Sequence, residues 1–349
     1  YELVENYRSK SNLVQFSNQW VGQLNNRLKE TPIMPVDGTD GLITVIEYKN
    51  SNLIVPLVQS ICDTDLAGST CVLTRTNDEA AQVAGLLINK GYQARLVQSN
   101  DGFNLYNLKE LRWFSDIVLG NEELPIVSEE EWFEAKNLFK IEFGSSNKLE
   151  WCLALLHNFE IVNPERKYKS DWKAFLTESK FEDAIQIDNE IIYVSTIHKA
   201  KGKEFDNVFL LLASLDIKSQ EIRRQLYVAM TRAKHLLQIH YNGDYFSRIN
   251  CNNIVYTQNQ ITYNTPENLS FLLTHIDVYL SYFGSKQNSI DRLVSGGNLI
   301  FTYEGLKDTK GNLVLKFSKG FSDKLVRLKQ TYIPSKARVN FIVYWKAEG

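Results

Sequence analysis

Short apolar runs alternate with amphipathic stretches along much of this chain, and this alternation limits its possible folds more than any other feature. The strand-like runs span about residues 42–48, 70–75, 93–98, 191–197, 207–213 and 235–241, and the helical patterns between them span 53–63, 77–90 and 219–232. A continuous apolar run such as 207–213 is typical of a strand that is buried on both faces. The alternation therefore predicts an α/β fold with a parallel sheet and crossover helices.

Two regions depart from this pattern. Between about residues 103 and 184, apolar positions recur at helical spacing without a convincing strand, which predicts a helical insertion. After about residue 255, segments rich in β-branched and aromatic residues are separated by turn formers such as Gly296-Gly297, which predicts a small β-rich accessory domain. The predicted domains are therefore an α/β domain made of residues 1–102 and 185–250, the insertion at 103–184 and the accessory domain at 255–349.

Composition excludes several classes of protein. The 39 basic and 41 acidic residues give a net charge of -2, which excludes a globally basic coat protein for nucleic acid but not a local basic groove. The four cysteines form no C-x-x-C pair, so neither a zinc ribbon nor a disulfide framework is indicated, and a reducing, cytoplasmic location is expected. No apolar run approaches the ~20 residues that span a bilayer, so no membrane partner is expected. The start at Tyr1 suggests a piece of a longer chain.

Charge is unevenly distributed along the chain. Residues 116–134 hold seven acidic residues and no Lys or Arg, which indicates a solvated helix face or, alternatively, an acidic edge that binds a partner. Residues 301–349 hold ten basic and four acidic residues, with aromatic residues interleaved. This second segment is compatible with a small barrel that follows a nucleic-acid strand, and equally with a docking module that has a solvated basic face.

Polar residues that suit phosphate and sugar binding follow the strand at 191–197. The segment Val194–Asn207 carries Ser195, Thr196, His198, Gly202 and Glu204. The two hydroxyls and the imidazole can hydrogen-bond a phosphate backbone, the glycine permits close approach, and the carboxylate can accept from a ribose hydroxyl. In a parallel sheet, ligands bind at the carboxyl ends of the strands, so we expect all five residues at that edge.

A second block, Arg223–Lys234, reads as a helix that ends where the next strand begins. Arg232 lies at that junction. A guanidinium placed there can reach an anionic oxygen with its planar fork, as an arginine finger does on a γ-phosphate.

Together these blocks resemble a known family. Tyr193–Leu212 and Arg223–His240 resemble motifs V and VI of superfamily 1 helicases of the UvrD/Rep/PcrA type, and Leu3–Val14 is similar to their motif IV. Leu73–Asn77 resembles the segment that follows motif IV, and the helical insertion falls where that family inserts its second accessory domain, although it is shorter here. The resemblance covers roughly residues 1–245.

The resemblance implies a fold and a set of roles. Residues 1–100 and 185–245 would form the second RecA-like domain of an ATPase that moves along DNA. Arg8 and Arg232 would approach the γ-phosphate of ATP, and Glu204 would bind its ribose beside Gly202. The strand residues Thr196 and His198, with Ser195 next to them, would face single-stranded DNA or the strand at a duplex junction.

The chain also departs from the family in ways that limit its activity. The family's ATP-binding loop, G-x-x-x-x-G-K-[ST], has no match here, because Gly202-Lys203 is followed by Glu204. The acidic pair that holds Mg²⁺ in the family's first domain is absent as well. ATP and Mg²⁺ are therefore expected as cofactors of a complete motor only, with a first RecA-like domain in the same parent chain as partner. The alternative is a non-catalytic scaffold that derives from a helicase half and binds nucleic acid or protein.

Each candidate residue also has an ordinary structural interpretation. Arg8 can be a plain surface or helix-pairing residue, and Glu204 can be a solvated acid in a turn. His198 can pack against its neighbours or cap a helix. The aromatic neighbours Tyr7, Tyr227 and Phe205 are predicted to lie in the core rather than to stack on bases.

Overall fold

A computed structural model of the chain describes residues 4–24, 31–97, 103–120, 124–184, 187–200 and 202–344. The strands are β1 (Glu5–Asn6), β2 (Met34–Pro35), β3 (Leu42–Tyr48), β4 (Thr70–Thr74), β5 (Ala94–Leu96), β6 (Ile126–Val127), β7 (Lys167–Tyr168), β8 (Ile192–Thr196), β9 (Phe205–Leu212), β10 (Ala233–Tyr241), β11 (Ile254–Asn259), β12 (Asn298–Phe301), β13 (Gly305–Lys307), β14 (Leu313–Lys316) and β15 (Ala337–Arg338). The helices are α1 (Ser11–Val21), α2 (Ile54–Cys62), α3 (Asn77–Asn89), α4 (Lys109–Leu119), α5 (Glu129–Glu142), α6 (Leu149–Val162), α7 (Lys169–Glu178), α8 (Gln220–Met230), α9 (Gln287–Ile290) and α10 (Lys319–Leu328). Among the described helices, none is long and apolar enough to cross a membrane.

The chain forms two compact units. The first contains Tyr1–Gln98 and Ile187–Leu272, and the second contains Ser99–Gln186 and Leu273–Gly349. The domain boundaries inferred from the sequence remain predictions, but these units show that the helical insertion and most of the C-terminal segment belong to the same compact body.

A seven-stranded parallel sheet organises the first unit. Its strand order is β11-β3-β10-β9-β4-β8-β5. Strands β4 and β8 are buried along their whole length, as expected for strands that are covered on both faces. The predicted α/β class, with a parallel sheet and crossover helices, is confirmed.

Helices cover both faces of this sheet. On one face, α2 and α3 bury Leu57 and Val83 in a core that includes Phe209 of β9. On the other face, α1 packs beside α8, and the ring of Trp20 lies 5.0 Å from that of Phe246. Each fully buried side chain of this kind contributes about 1.5–3 kcal/mol to folding, so the two layers hold the strand ends in fixed positions.

The connection from β8 to β9 is unusually short for two parallel strands. Only residues 197–204 link them, although β4 lies between them in the sheet. Because parallel strands run in the same direction, this segment must return from the carboxyl end of β8 to the amino end of β9. It therefore has one end at each edge of the sheet.

The sheet continues beyond the α/β segment expected from the sequence. Strand β11 pairs with β3, in parallel, although it lies past residue 250, where that segment was predicted to end. Most side chains of β11 are exposed, so it lacks the apolar pattern that identifies a covered strand. The pairing of an outer strand is consequently a feature of the fold that periodicity alone does not reveal.

The second unit has a helical core, as predicted for the insertion. Helices α4 to α7 surround a cluster of fully buried aromatic side chains. The ring of Phe114 lies 5.0 Å from that of Trp132, and the ring of Phe159 lies 5.0 Å from that of Trp172. The indole nitrogen of Trp172 donates to the Ser115 hydroxyl over 3.0 Å, so the polar atom of this buried ring is satisfied.

The C-terminal part of the second unit is β-rich, also as predicted. It contains an antiparallel sheet with the order β14-β13-β12-β15. Helix α10, which the sequence pattern did not indicate, lies between β14 and β15 along the chain. The ring of Phe317 lies 5.0 Å from that of Phe321 in α10 and 5.8 Å from that of Phe301 in β12. Further along, Val343 bridges to Leu108 in an antiparallel arrangement, which joins this part to the helical core.

One buried histidine should make the first unit sensitive to acid. The imidazole of His240 is fully buried in β10, with its Nδ1 atom 2.8 Å from the Tyr48 hydroxyl, and burial lowers the pKa of His240 from 6.5 to about 3. As pH falls below about 6.5, the unfolded chain takes up a proton that the folded chain does not. The free energy of unfolding therefore has its full value above pH ~6.5. Below that pH it should fall by about 1.4 kcal/mol per pH unit towards pH 3.

Urea unfolding followed by circular dichroism between about pH 7 and pH 5 measures this effect. His240→Gln should flatten the pH dependence of the free energy of unfolding, whereas His275→Gln, at an exposed position, should leave it as in the wild type. An unchanged slope in His240→Gln would show that the imidazole is not the titrating group.

Candidate functional site

Three predicted site residues meet at the amino ends of two neighbouring strands. Glu204 directly precedes β9, and Arg232 directly precedes β10. The two positions are joined by a backbone hydrogen bond of 2.9 Å from the amide of Phe205 to the carbonyl of Arg232. Arg8 lies in the loop between β1 and α1, and its Nε atom is 2.5 Å from Oε1 of Glu204. The fold thus brings together residues from three separate segments.

The loop that carries Arg8 is fixed to the sheet by polar contacts. The Asn6 side chain accepts from the backbone amides of Arg8 and Ser9, each over 2.9 Å, which forms a turn typical of Asn. The Ser9 hydroxyl donates to the carbonyl of Ala233 over 2.8 Å, and the amide of Lys10 donates to the carbonyl of Lys234 over 3.0 Å. These bonds hold Arg8 beside the first residues of β10.

Arg232 is positioned by backbone carbonyls. Its Nε atom donates to the carbonyl of Val228 in α8 over 3.0 Å, and its Nη1 atom donates to the carbonyl of Lys203 over 3.1 Å. A guanidinium has five N–H donors, so these two bonds orient the group and leave donors for a ligand. Its location at the end of α8 is favourable, because the carboxyl end of a helix attracts cations.

The electrostatics of this cluster favour binding of an anion. Burial and the nearby positive charge of Arg8 lower the pKa of Arg232, while the carboxylate of Glu204 acts in the opposite direction. Both guanidiniums stay protonated at physiological pH, so two cations share one carboxylate. An anionic ligand would relieve the repulsion between the two arginines and would satisfy their remaining donors.

The predicted strand-contacting residues lie at the opposite edge of the sheet. Thr196 pairs with Thr74 at the end of β4, while β9 begins at Phe205. Since Leu73 pairs with Leu210, Thr196 lies about 20 Å from Phe205 along the strands, at about 3.3 Å per residue.

The expectation that all five residues of the first block share the carboxyl edge is therefore wrong for Glu204 and Gly202. The physical reason is the connection at 197–204, which crosses the sheet from one edge to the other. A run of polar residues in the sequence can thus be divided between two distant places when the chain between two parallel strands is short.

The three residues at the carboxyl edge differ in accessibility. His198 is exposed, whereas Thr196 is 7% exposed. Ser195 is 1% exposed, and its hydroxyl donates to the carbonyl of Thr196 over 3.0 Å. Both hydroxyl residues are thus buried in a strand that is covered on both faces, and the contact of Ser195 with a nucleic-acid strand remains a prediction.

Gly202 is required by the backbone conformation of its turn. Its φ is +86°, a value that residues with a Cβ rarely adopt, and the residue is exposed. An added Cβ would meet no atom within 4 Å. The residue therefore shapes the turn that leads to Glu204, and its contact with a nucleotide remains a prediction.

The surroundings of the cluster differ in part from the sequence-based expectation. Phe205 is 2% exposed, as predicted for a core residue, but Tyr7 is 75% exposed and the prediction that it lies in the core is wrong. The contributions of Asn6 and Ser9 to positioning were not anticipated. The Asn two residues before Arg8 was the available signal, since Asn commonly bonds to backbone amides further along the chain.

The Arg8–Glu204 pair should contribute little to stability. The side chains are 41% and 27% exposed, so solvent screens their attraction, and we expect a coupling energy below about 1 kcal/mol. A double-mutant cycle with Arg8→Gln, Glu204→Gln and the double variant, measured by urea unfolding, tests this. A coupling of several kcal/mol would instead identify the pair as a structural element.

Comparisons with known proteins give one clear family match. A family model described as the UvrD-like helicase C-terminal domain matches residues 1–119 and 126–244. No curated protein matches the chain significantly. Among solved structures, a similar one is the crystal structure of the C-terminal domain of a possible DNA helicase from Lactobacillus plantarum. It is 15% identical, has a TM-score of 0.34, and the match covers 73% of this chain and 99% of that chain.

Proposed function

Because the chain belongs to the UvrD-like helicase C-terminal domain family, we propose that it is the C-terminal part of an ATP-dependent DNA helicase or translocase. The observation that carries this proposal is the cluster of Arg8, Glu204 and Arg232 at the amino edge of the sheet. A protein that used this unit only as a scaffold would have no need to hold two arginines close enough to repel each other.

The cluster suits the polar groups of ATP. We assign Arg8 and Arg232 to the γ-phosphate, because guanidiniums bind phosphate oxygens through parallel hydrogen bonds. Glu204 is assigned to the ribose, since its carboxylate can accept from a hydroxyl. The pair that Glu204 forms with Arg8 is partly exposed, so an incoming phosphate can replace the carboxylate on Arg8 at small cost. That exchange would release Glu204 for the sugar.

The proposed chemistry is stabilisation of charge. Phosphoryl transfer needs positive groups around the transferred phosphoryl more than it needs a covalent catalyst. ATP with Mg²⁺ supplies the reactive phosphate, and we assign the binding of both to a first RecA-like domain in the parent chain. Arginines brought by a second domain then couple hydrolysis to closure of the cleft between the two domains.

Thr196 and His198 are the proposed contacts to single-stranded DNA or to a duplex junction. They lie about 20 Å along the strands from the arginine cluster. The segment 197–204 is continuous between the two edges, so a change at the nucleotide can be passed to the DNA through a single short stretch of backbone. Thr196 and Ser195 are both buried in β8, so His198 is the most accessible of the three proposed residues.

The test is the ATPase activity of the longer parent protein, stimulated by single-stranded DNA. Arg232→Ala should lower the rate about 10³-fold or more, the loss expected when an arginine finger is removed. Arg224→Ala is the matched control, because Arg224 lies in α8, the helix that precedes Arg232, is exposed and makes none of the hydrogen bonds described for the cluster. Circular dichroism establishes that both variants are folded.

Three outcomes are informative. Activity that falls in Arg232→Ala but not in Arg224→Ala supports the motor. An inactive wild-type parent would favour the non-catalytic scaffold. Equal activity of wild type and Arg232→Ala would remove the finger role from Arg232.

A further inference from the structure

The C-terminal sheet of the second unit separates its side chains into two faces. Directly paired residues of antiparallel strands project from the same face. Lys307 pairs with Ile300, and Asn298 pairs with Arg338. Gly305, two residues before Lys307 and therefore on the same face, pairs with Lys316. Lys307 also pairs with Leu313, because the register shifts between Leu306 and Lys307. The outer face is accordingly formed by Asn298, Ile300, Gly305, Lys307, Leu313, Lys316 and Arg338.

The opposite face of this sheet is already covered. Phe301 pairs with Leu306 and contacts Phe317, which in turn contacts Phe321 of α10. Leu306 is 6% exposed. The outer face, in contrast, carries exposed residues in two neighbouring strands, Asn298 and Ile300 in β12 and Arg338 in β15.

The outer face is cationic with an apolar centre. It holds three cations and no acidic side chain among its seven residues, and Ile300 is 48% exposed between them. The Nε atom of Arg338 donates to the Asn298 side chain over 3.2 Å, which orients the guanidinium on this surface. Glu304 lies 3.3 Å from Lys316, but both side chains are well exposed, so this pair is weak.

We propose that the outer face of this four-stranded sheet binds a single-stranded nucleic acid. Lys307, Lys316 and Arg338 lie on three of the four strands, which are spaced about 4.8 Å apart, so the cations extend across roughly 14 Å of the sheet. This row can follow a phosphate backbone. The exposed Ile300 offers an apolar surface to unstacked bases, and the exposed ring of Tyr303 lies in the adjoining turn.

A single strand suits this surface better than the alternatives. Duplex DNA hides its bases inside the stack and would leave Ile300 without an apolar partner. An acidic protein would engage the three cations, but it would have no bases to place on the aliphatic centre. The proposal extends the proposed motor, because it adds a strand contact in the second unit to the contact of Thr196 and His198.

The experiment measures binding of fluorescein-labelled oligo-dT by fluorescence anisotropy across a series of salt concentrations, with no nucleotide present. The test variant is Lys307→Gln/Lys316→Gln/Arg338→Gln. The matched control is Lys319→Gln/Arg327→Gln/Lys329→Gln, which removes the same charge from exposed positions on or next to α10. Circular dichroism and thermal melting establish that both variants keep the fold.

The test variant should bind at least about tenfold more weakly at low salt, and the slope of log K against log salt should become shallower by about 2, since each lost contact to a single strand removes ~0.7. The control should keep most of the affinity. Ile300→Ala should lower affinity without changing the slope, because it removes an apolar contact and no charge.

Several results would overturn this inference: no binding by the wild type, equal binding by the test variant, or equal losses in test and control variants. Preference for poly-glutamate over oligo-dT would point to an acidic protein instead. Failure here is distinguishable from failure of the proposed function. ATPase activity that depends on Arg232 needs neither Lys307 nor Arg338, and binding of oligo-dT needs no ATP.

Discussion

Parallel strands impose a constraint on which much of this molecule depends: every connection must carry the chain back from the carboxyl edge of the sheet to the amino edge. For the step from β8 to β9, nine residue intervals can span at most about 30 Å. They must cover about 20 Å along the strands and about 10 Å across β4, which is a straight-line distance of about 22 Å. The remaining length is taken up by turns, such as the one closed by the hydrogen bond of 3.2 Å from the amide of Lys203 to the carbonyl of Ala200. The proposed nucleotide contact at the amino edge and the proposed DNA contact at the carboxyl edge are therefore joined by only eight residues of chain.

The two edges differ in how their residues are held. At the amino edge, backbone carbonyls and the turn at Asn6 orient the arginines, while the charges themselves are only partly neutralised. At the carboxyl edge, buried hydroxyls satisfy the backbone, and His198 remains open to solvent. At the amino edge, short-range hydrogen bonds therefore position two cations beside a single carboxylate, where an anion is proposed to bind.

The sequence was sufficient to predict the central strands, because short, continuous apolar runs bounded by turn residues are typical of strands that are buried on both faces. It did not reveal β11, an outer strand with mostly exposed side chains, or α10, a short helix that buries only Phe321 and Leu325. The association of Arg8 with Arg232 rested on family resemblance, since no local periodicity relates residues so far apart. The location of Glu204 was predicted at the wrong edge, although the parallel sheet that the apolar runs predict already requires the residue before β9 to lie at the amino edge.

The contacts that complete the second unit also determine when it can form. Val343 bridges to Leu108, and the ring of Phe341 lies 5.5 Å from that of Phe103 and 5.4 Å from that of Phe181. During synthesis, the helices of the insertion leave the ribosome well over a hundred residues before these partners do. The apolar side chains of the insertion that later contact Phe341 and Val343 are therefore exposed to solvent while the rest of the first unit is translated. Because this apolar surface is exposed during synthesis, we expect a chaperone that binds apolar surface to assist folding of the nascent chain.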